Sequence, residues 1–343
     1  MKIKKLFLPL LASIILGMVS TSCSEEFSPN DEWQETMVVY GILDQDCDTT
    51  WIRIQKCFLG NGNFEGFAQI MDSSCYAEDD LEVKIVEWYA QKNNSVLEKT
   101  SETGVVFDFN YTVLTNKPQG EFYSNGQPIY YCRTKNKLYT DRVYQLVVRN
   151  LKTNKVVTAE TSLVGNGISL IKPSTYFQFR DGNVNNRYAI LSWTMDEYKM
   201  ARVFQPVIRF FYLENMETKY VDITASVVRN VTNSSQVQTT VSRTFFGAQL
   251  KEKLGVPPEG VERAIVDSVH IFINAGNEAL SNYMSISEPP STIVQERPSF
   301  SNIEGGLGIF AARRTKIMEM RPTPGSVTGD YKVFLKSLKI GFE

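Results

Sequence analysis

The chain has 343 residues, with 36 Lys and Arg against 38 Asp and Glu, one histidine and five cysteines; 43% of it is hydrophobic and 12% aromatic. This is the make-up of a folded protein, and a charge of −2 without a basic block argues against nucleic-acid binding, which leans on phosphate neutralisation. His270 alone makes no multi-histidine metal centre, and any imidazole catalysis would rest on that one residue.

Residues 1–22 read as a secretory leader. Lys2, Lys4 and Lys5 form a basic start, and the apolar run Leu6 to Val19 is shorter than the roughly 20 helical residues that span a bilayer. Ser20-Thr21-Ser22-Cys23 then places three small residues before a cysteine, which resembles the lipobox of bacterial lipoproteins and marks Cys23 for acylation, with Ser20 in place of the usual Leu. The alternative is an ordinary cut near Ser22 with Cys23 a bystander. Ser24-Glu25-Glu26 resembles the short acidic signal that directs Bacteroidetes lipoproteins to face outward, or is simply a solvated tether. Cleavage would leave 33 basic and 38 acidic side chains, a net charge of −5, and residues 23–36, with Pro29-Asn30-Asp31, read as a flexible leash.

From residue 37 the apolar pattern has period two, as half-buried strands require. Met37 to Leu43 and Trp51 to Phe58 come first, joined by a turn containing Asp44, Asp46 and Asp48. The alternating carboxylates look like the start of a calcium loop, but an EF-hand also needs Gly at position six and Glu at twelve, where this chain has Thr49 and Gln55. A looser calcium site and a solvated hairpin tip both remain open. Trp51 lies on the strand face opposite Ile52 and Ile54, so it is exposed if those point inward. Phe64 and Phe67 sit in the Gly-rich loop Gly60 to Phe67, which suits recognition better than packing. These three rings are the candidate ligand-binding residues.

With Cys23 lipidated, Cys47, Cys57, Cys75 and Cys132 allow three connectivities, or four free thiols; a Cys57–Cys75 bridge would close the Gly-rich segment. Leu81 to Ile85, Val105 to Phe109, Gly126 to Cys132, and the hairpin Arg142 to Arg149 with Lys155 to Thr161 complete about seven strands before residue 162.

A pause at Val164-Gly165-Asn166-Gly167 precedes a second series: Tyr188 to Thr194, Val203 to Leu213, Tyr220 to Asn230, Gln236 to Phe245, Ala264 to Asn274 and Lys332 to Phe342. Two short helices interrupt it, Ala248 to Leu254 and Glu278 to Ile286, the second capped by Asn277. The expected fold is all-β: two β-sandwich domains, Ig-like or fibronectin-like, over residues 37–165 and 166–343, with both helices in the second.

Catalytic signatures are thin. Gly306 to Ala311 fits G-x-G-x-x-A but lacks the strand-to-helix setting that a dinucleotide needs, so its glycines are read as tight entry to a packed strand. There is no G-x-S-x-G, and His270 lies in a strand apolar on both faces, which suits a core or half-buried ring. Glu78-Asp79-Asp80 and Asp196-Glu197 are eligible for paired-carboxylate hydrolysis but fall where strand ends are solvated. The reading is non-enzymatic, and no cofactor is implied.

Cys23, the opening strand Val38 to Leu43, the hairpin Tyr144 to Val148 with Val157 to Thr161, and above all Ser301-Asn302-Ile303-Glu304-Gly305-Gly306-Leu307-Gly308-Ile309-Phe310-Ala311 together resemble the DUF4249 lipoproteins of Bacteroidetes. The resemblance covers almost the whole mature chain, and its specific element is the N-I-x-G-G-L-G-I-F segment. It implies an outer-membrane, lipid-anchored protein facing outward that accompanies a TonB-dependent transporter barrel and captures a ligand or caps the barrel. It assigns no site residues. The alternatives are an adhesin or pilus-associated sandwich and a surface hydrolase.

Overall fold

The computed structural model describes residues 36–57, 66, 69–93, 96–115, 123, 126–174, 176–179, 187–195, 200–230, 234–287, 300–322 and 328–342. Alternating burial makes the strands. In β1 (Thr36–Asp44) Met37, Val39 and Leu43 are fully buried while Val38, Tyr40 and Ile42 point the other way. β2 (Thr49–Cys57) pairs with it in antiparallel register, Tyr40 opposite Arg53, and buries Ile52 and Ile54. After the single turn α1 (Met71–Ser74) come the 13-residue strands β3 (Leu81–Asn93) and β4 (Val96–Asp108), then β5 (Asn110–Leu114) and β6 (Gln127–Arg133). β7 (Arg142–Asn150) and β8 (Val156–Ser162) form the hairpin expected from the sequence. Its turn is set by Asn150, whose side-chain Oδ1 accepts from the N–H of Lys152 at 2.8 Å and of Thr153 at 3.1 Å.

The second series is β9 (Ser169–Lys172), β10 (Tyr176–Phe177), β11 (Tyr188–Thr194), β12 (Val203–Glu214), β13 (Glu217–Thr224), β14 (Val228–Arg229) and β15 (Gln236–Ser242). Then follow α2 (Arg243–Leu254), β16 (Arg263–Gly276), α3 (Glu278–Ser287), β17 (Leu307–Pro322) and α4 (Thr328–Ser337). The class is all-β, as expected, with antiparallel pairing almost throughout.

Three features differ from the sequence reading. The stretch Lys332 to Phe342, expected as a strand, begins inside helix α4: Tyr331, Leu335 and Leu338, spaced by four and three, are buried, while Val333 is 63% exposed. The strand expected to run to Phe245 stops at Ser242, whose hydroxyl accepts from the Phe245 N–H at 3.1 Å and starts α2 five residues early. The division near residue 165 applies to the cores but not to the sheet. One core is built from residues between Met37 and Leu163 plus Ile303, Phe310 and Ala312, the other from residues between Val164 and Phe342. A single ten-stranded sheet, ordered β13-β12-β16-β17-β1-β2-β6-β5 with β14 also paired to β12 and β10 to β17, supplies strands to both, and Thr36–Glu343 is one compact unit. The four-stranded sheet β4-β3-β7-β8 contributes Val83, Ile85, Leu146 and Val148 to the first core; the three-stranded sheet β15-β11-β9 contributes Leu191 and Trp193 to the second, with α2 and α4.

β17 joins the halves. It runs parallel to β1, Val38 opposite Leu307 through Asp44 opposite Arg313, and antiparallel to β16 from Arg313 to Met320. Its even-numbered residues Phe310, Ala312, Met318 and Met320 face the cores; Ile309 and Arg313 face the opposite side, where α3 lies. The glycines of the G-x-G-x-x-A segment serve this junction, as expected. Gly308 has φ +111°, and a Cβ there would sit 2.0 Å from the Val39 carbonyl oxygen.

A candidate ligand cleft on the outer sheet face

Because Ile52 and Ile54 point into the core, Trp51 stands on the outer face, 44% exposed, and Tyr40 on β1 beside it is 39% exposed. The two rings are diagonal neighbours across an antiparallel pair, since Tyr40 is opposite Arg53. Trp51 is propped from β6 by Tyr131, ring centroids 5.4 Å apart. Opposite them α3 presents Leu280 and Tyr283, and Ile42 and Ile309 form an aliphatic floor. The space between is an open cleft of about 690 Å³, within the usual range of ligand sites.

α3 is fixed at its N-terminus by Asn277, which acts as the cap foreseen from the sequence: its Oδ1 accepts from the Leu280 N–H at 3.3 Å. The Asn277 amide also donates to Thr161 Oγ1 at 2.7 Å and to the Ser162 carbonyl at 3.1 Å, tying the helix to the end of β8. At Gly276 a Cβ would come within 2.6 Å of the Leu280 side chain and 2.9 Å of Val203, so the strand-to-helix corner is closely packed against both.

Asp44, Asp46 and Asp48, the looser calcium candidate, are each paired with a different cation. Arg313 Nε donates to Asp44 Oδ2 at 3.3 Å, and Lys135 pairs with Asp48 at 2.8 Å. Arg314 grips both oxygens of Asp46, at 2.8 and 3.1 Å, and donates to the Gly165 carbonyl at 3.2 Å. Each carboxylate is thus held by a cation rather than turned toward a shared centre, and the hairpin tip is latched to the link between the two cores. Among the described residues no three His, Cys, Asp or Glu side chains come together to hold a metal.

Burial pushes the Tyr40 phenol above its ordinary value; the nearby Tyr283 adds to this and Arg53 opposes it, which places the two hydroxyls at one end of the cleft. Cys47, at the other end, is raised first by burial and then by the charge and hydrogen bond of Asp44, with Arg313 opposing. A thiol kept protonated in this way is a poor nucleophile.

The other expected residues fall elsewhere. Cys23, Phe64, Phe67 and the Asp196-Glu197 pair lie outside the described residues. Cys57 and Cys75 form no bridge: all four described cysteines are free thiols, Cys57 exposed and Cys75 buried. Cys75 is bridged by backbone to Gln55, which puts Cys57 two residues further along β2, and its sulfur lies 3.6 Å from Ser74 Oγ. His270 is half-buried as expected, its ring 4.6 Å from that of Phe211 and 6.5 Å from Phe272. Asp80 is a buried structural anchor. It pairs with Lys152 and accepts from the Ala77 N–H at 3.0 Å; burial pushes its pKa up, but these hydrogen bonds prevail and hold it below the ordinary value.

Tyr40, Leu280, Tyr283 and Arg313 escaped the sequence reading. One signal pointed to them: β1 is apolar on both faces, Val38, Tyr40 and Ile42 as well as Met37, Val39 and Leu43, which calls for cover on its second face. No helix among the described residues is long and apolar enough to cross a membrane. Comparison with protein-family models and with curated proteins gives no match for this chain.

Proposed function

We propose that this chain is an outer-membrane lipoprotein, anchored through Cys23 and facing outward, that binds a ligand without transforming it and serves as the accessory partner of a TonB-dependent transporter. The observation that carries the binding half is the open aromatic cleft, where Trp51 and Tyr40 keep large ring areas in solvent opposite Tyr283. Its carboxylates are held by Arg313 and Lys135 and its thiol is kept protonated, which favours holding a ligand over attacking one. The anchor rests on the lysines, apolar run and small residues before Cys23, and the partner on the resemblance of the Ser301 to Ala311 segment to the DUF4249 lipoproteins.

The test is a C-terminally tagged protein captured from outer membranes in mild detergent, with labelled palmitate in the growth medium. The expected result is a labelled protein, unlabelled in Cys23→Ala, that brings down a TonB-dependent barrel in stoichiometric amount. A labelled protein without a barrel would remove the transporter half of the proposal.

One observation favours the adhesin reading. β4 is an edge of its sheet over 13 residues, with Val96, Val105 and Val106 each more than 40% exposed, a surface suited to adding a strand from another chain. Surface polymers linked through β4 would favour it over the cleft.

A further inference from the structure

The cleft combines three kinds of surface that together narrow what it can hold. The first is aromatic: the rings of Trp51 and Tyr40 stand half in solvent on adjacent strands, with the Tyr283 side chain across from them. The second is aliphatic, the floor of Ile42 and Ile309 with Leu280 facing it from α3. The third is a polar end where Thr49 lies beside two carboxylates already matched by cations, Asp44 by Arg313 at 3.3 Å and Asp48 by Lys135 at 2.8 Å.

Charge offers neither a cation nor an anion a net gain here, since both signs are already matched. A cationic ligand would have to displace Arg313 or Lys135 from its carboxylate, and an anionic ligand would have to draw the same cations away; either exchange gives up an ion pair to make one. A purely apolar ligand would cover the rings and floor but strip water from Asp44, Arg313 and Thr49 without replacing its hydrogen bonds. The remaining chemistry is neutral, with apolar faces and a periphery of groups that both donate and accept. Hydroxyls do this, giving a proton to Asp44 and receiving one from Arg313 in the same site. An open cleft of about 690 Å³ has room for more than one sugar ring.

We propose that the cleft between α3 and the outer face of β1, β2 and β17 binds a neutral oligosaccharide, with its sugar faces on Trp51 and Tyr40 and its hydroxyls on the Asp44–Arg313 pair. This rests on the ligand-binding reading above and adds the ligand class to it.

The experiment uses the detergent-solubilised full chain and isothermal titration calorimetry. The probes are neutral trisaccharides (maltotriose, cellotriose, mannotriose and xylotriose), trigalacturonate as an acidic glycan, chitosan trimer as a cationic one, and the tripeptide Ala-Phe-Ala. The expected result is saturable binding of at least one neutral trisaccharide, weakened about tenfold or more in Trp51→Ala, as loss of a stacking ring predicts. Tyr283→Ala should weaken it similarly, and circular dichroism checks that both variants keep the wild-type fold. The charged glycans should bind more weakly than their neutral counterparts. Tighter binding of a charged probe or of the tripeptide, still dependent on Trp51, would overturn the sugar proposal and leave the cleft standing as a ligand site. Heats that Trp51→Ala and Tyr283→Ala leave unchanged for every probe would overturn both the sugar and the cleft.

Discussion

The side-chain amide of Asn302 takes the place of a missing strand beside Phe310. Its Nδ2 donates to the Phe310 carbonyl at 2.7 Å, and its Oδ1 accepts from the Phe310 N–H at 2.9 Å, the two bonds a neighbouring strand would exchange. The substitution is needed because β16 leaves β17 at Arg313, so before that point the edge of β17 away from β1 has no strand partner among the described residues. Phe310 itself is fully buried, where unpaired backbone groups are expensive. The Asn302 to Phe310 segment therefore reads as a structural unit: an asparagine that closes the edge, then glycines that admit β1.

Asn302→Ala should destabilise the fold by about 1–3 kcal/mol, the cost of leaving a buried donor and acceptor unmet. Gly308→Ala should cost more, above about 4 kcal/mol, since the added methyl meets the Val39 carbonyl at 2.0 Å in a backbone conformation that L side chains avoid. Urea unfolding followed by tryptophan emission gives both values; an Asn302→Ala midpoint equal to wild type would show that the edge needs no closure.

Arg263 is a second unit of this kind. Its guanidinium donates to Glu214 at 2.8 Å and to the carbonyls of Gly255 and Ile340, each at 2.9 Å, and of Leu254 at 3.2 Å, joining β12, the end of α2 and the C-terminal segment. Arg263→Leu should cost about 3–5 kcal/mol, because Glu214 and three carbonyls lose a buried partner together. A thermal midpoint within a degree or two of wild type would contradict this.

Asp80 makes stability depend on acidity in a defined direction. Its folded pKa lies below the ordinary 3.8, so its contribution is complete above that value and is lost as pH falls through the folded pKa. Asp80→Asn should be less stable than wild type by about 1.5–3 kcal/mol at neutral pH, the range for hydrogen bonds to a charged group. The gap should narrow below about pH 4, as the wild-type carboxyl takes up its proton. A gap that widens on acidification would reverse the assignment.

Cys47 should alkylate slowly at pH 8 and show a rate midpoint above the ordinary 9.0, as burial and Asp44 both oppose the thiolate. Asp44→Asn removes the second effect and should move the midpoint down and quicken the reaction. Iodoacetamide labelling read by peptide mass spectrometry distinguishes Cys47 from Cys57, Cys75 and Cys132.

Much of the strand pattern was legible because a half-buried strand writes its period into the sequence. Tyr144, Leu146 and Val148 lead to β7, and Asn277 announces α3 because an N-cap is a local device. β4 was only partly legible: Leu97 and Phe107 are its two buried residues, so most of its length carries no alternation and is held by pairing with β3. α4 was misread because Leu338, Ile340 and Phe342 lie two apart and imitate a strand where the helix has ended. Of the candidate site, Trp51 could be placed from Ile52 and Ile54 alone. Tyr283 and Arg313 could not, since their approach depends on α3 docking against β17, a contact between segments that no local pattern encodes.

The parallel pairing of β1 with β17 imposes an order on folding. On the edge of β1 away from β2, Val38 is paired with Leu307, so nearly the whole chain must be available before the first core gains Phe310 and Ala312. Closing so distant a contact is slow, and until it happens β1 has an open edge beside β2 and the floor of the cleft lacks Ile309. A chain cut short before residue 300 would keep most of its strands but present that edge to other molecules, and self-association is its natural fate.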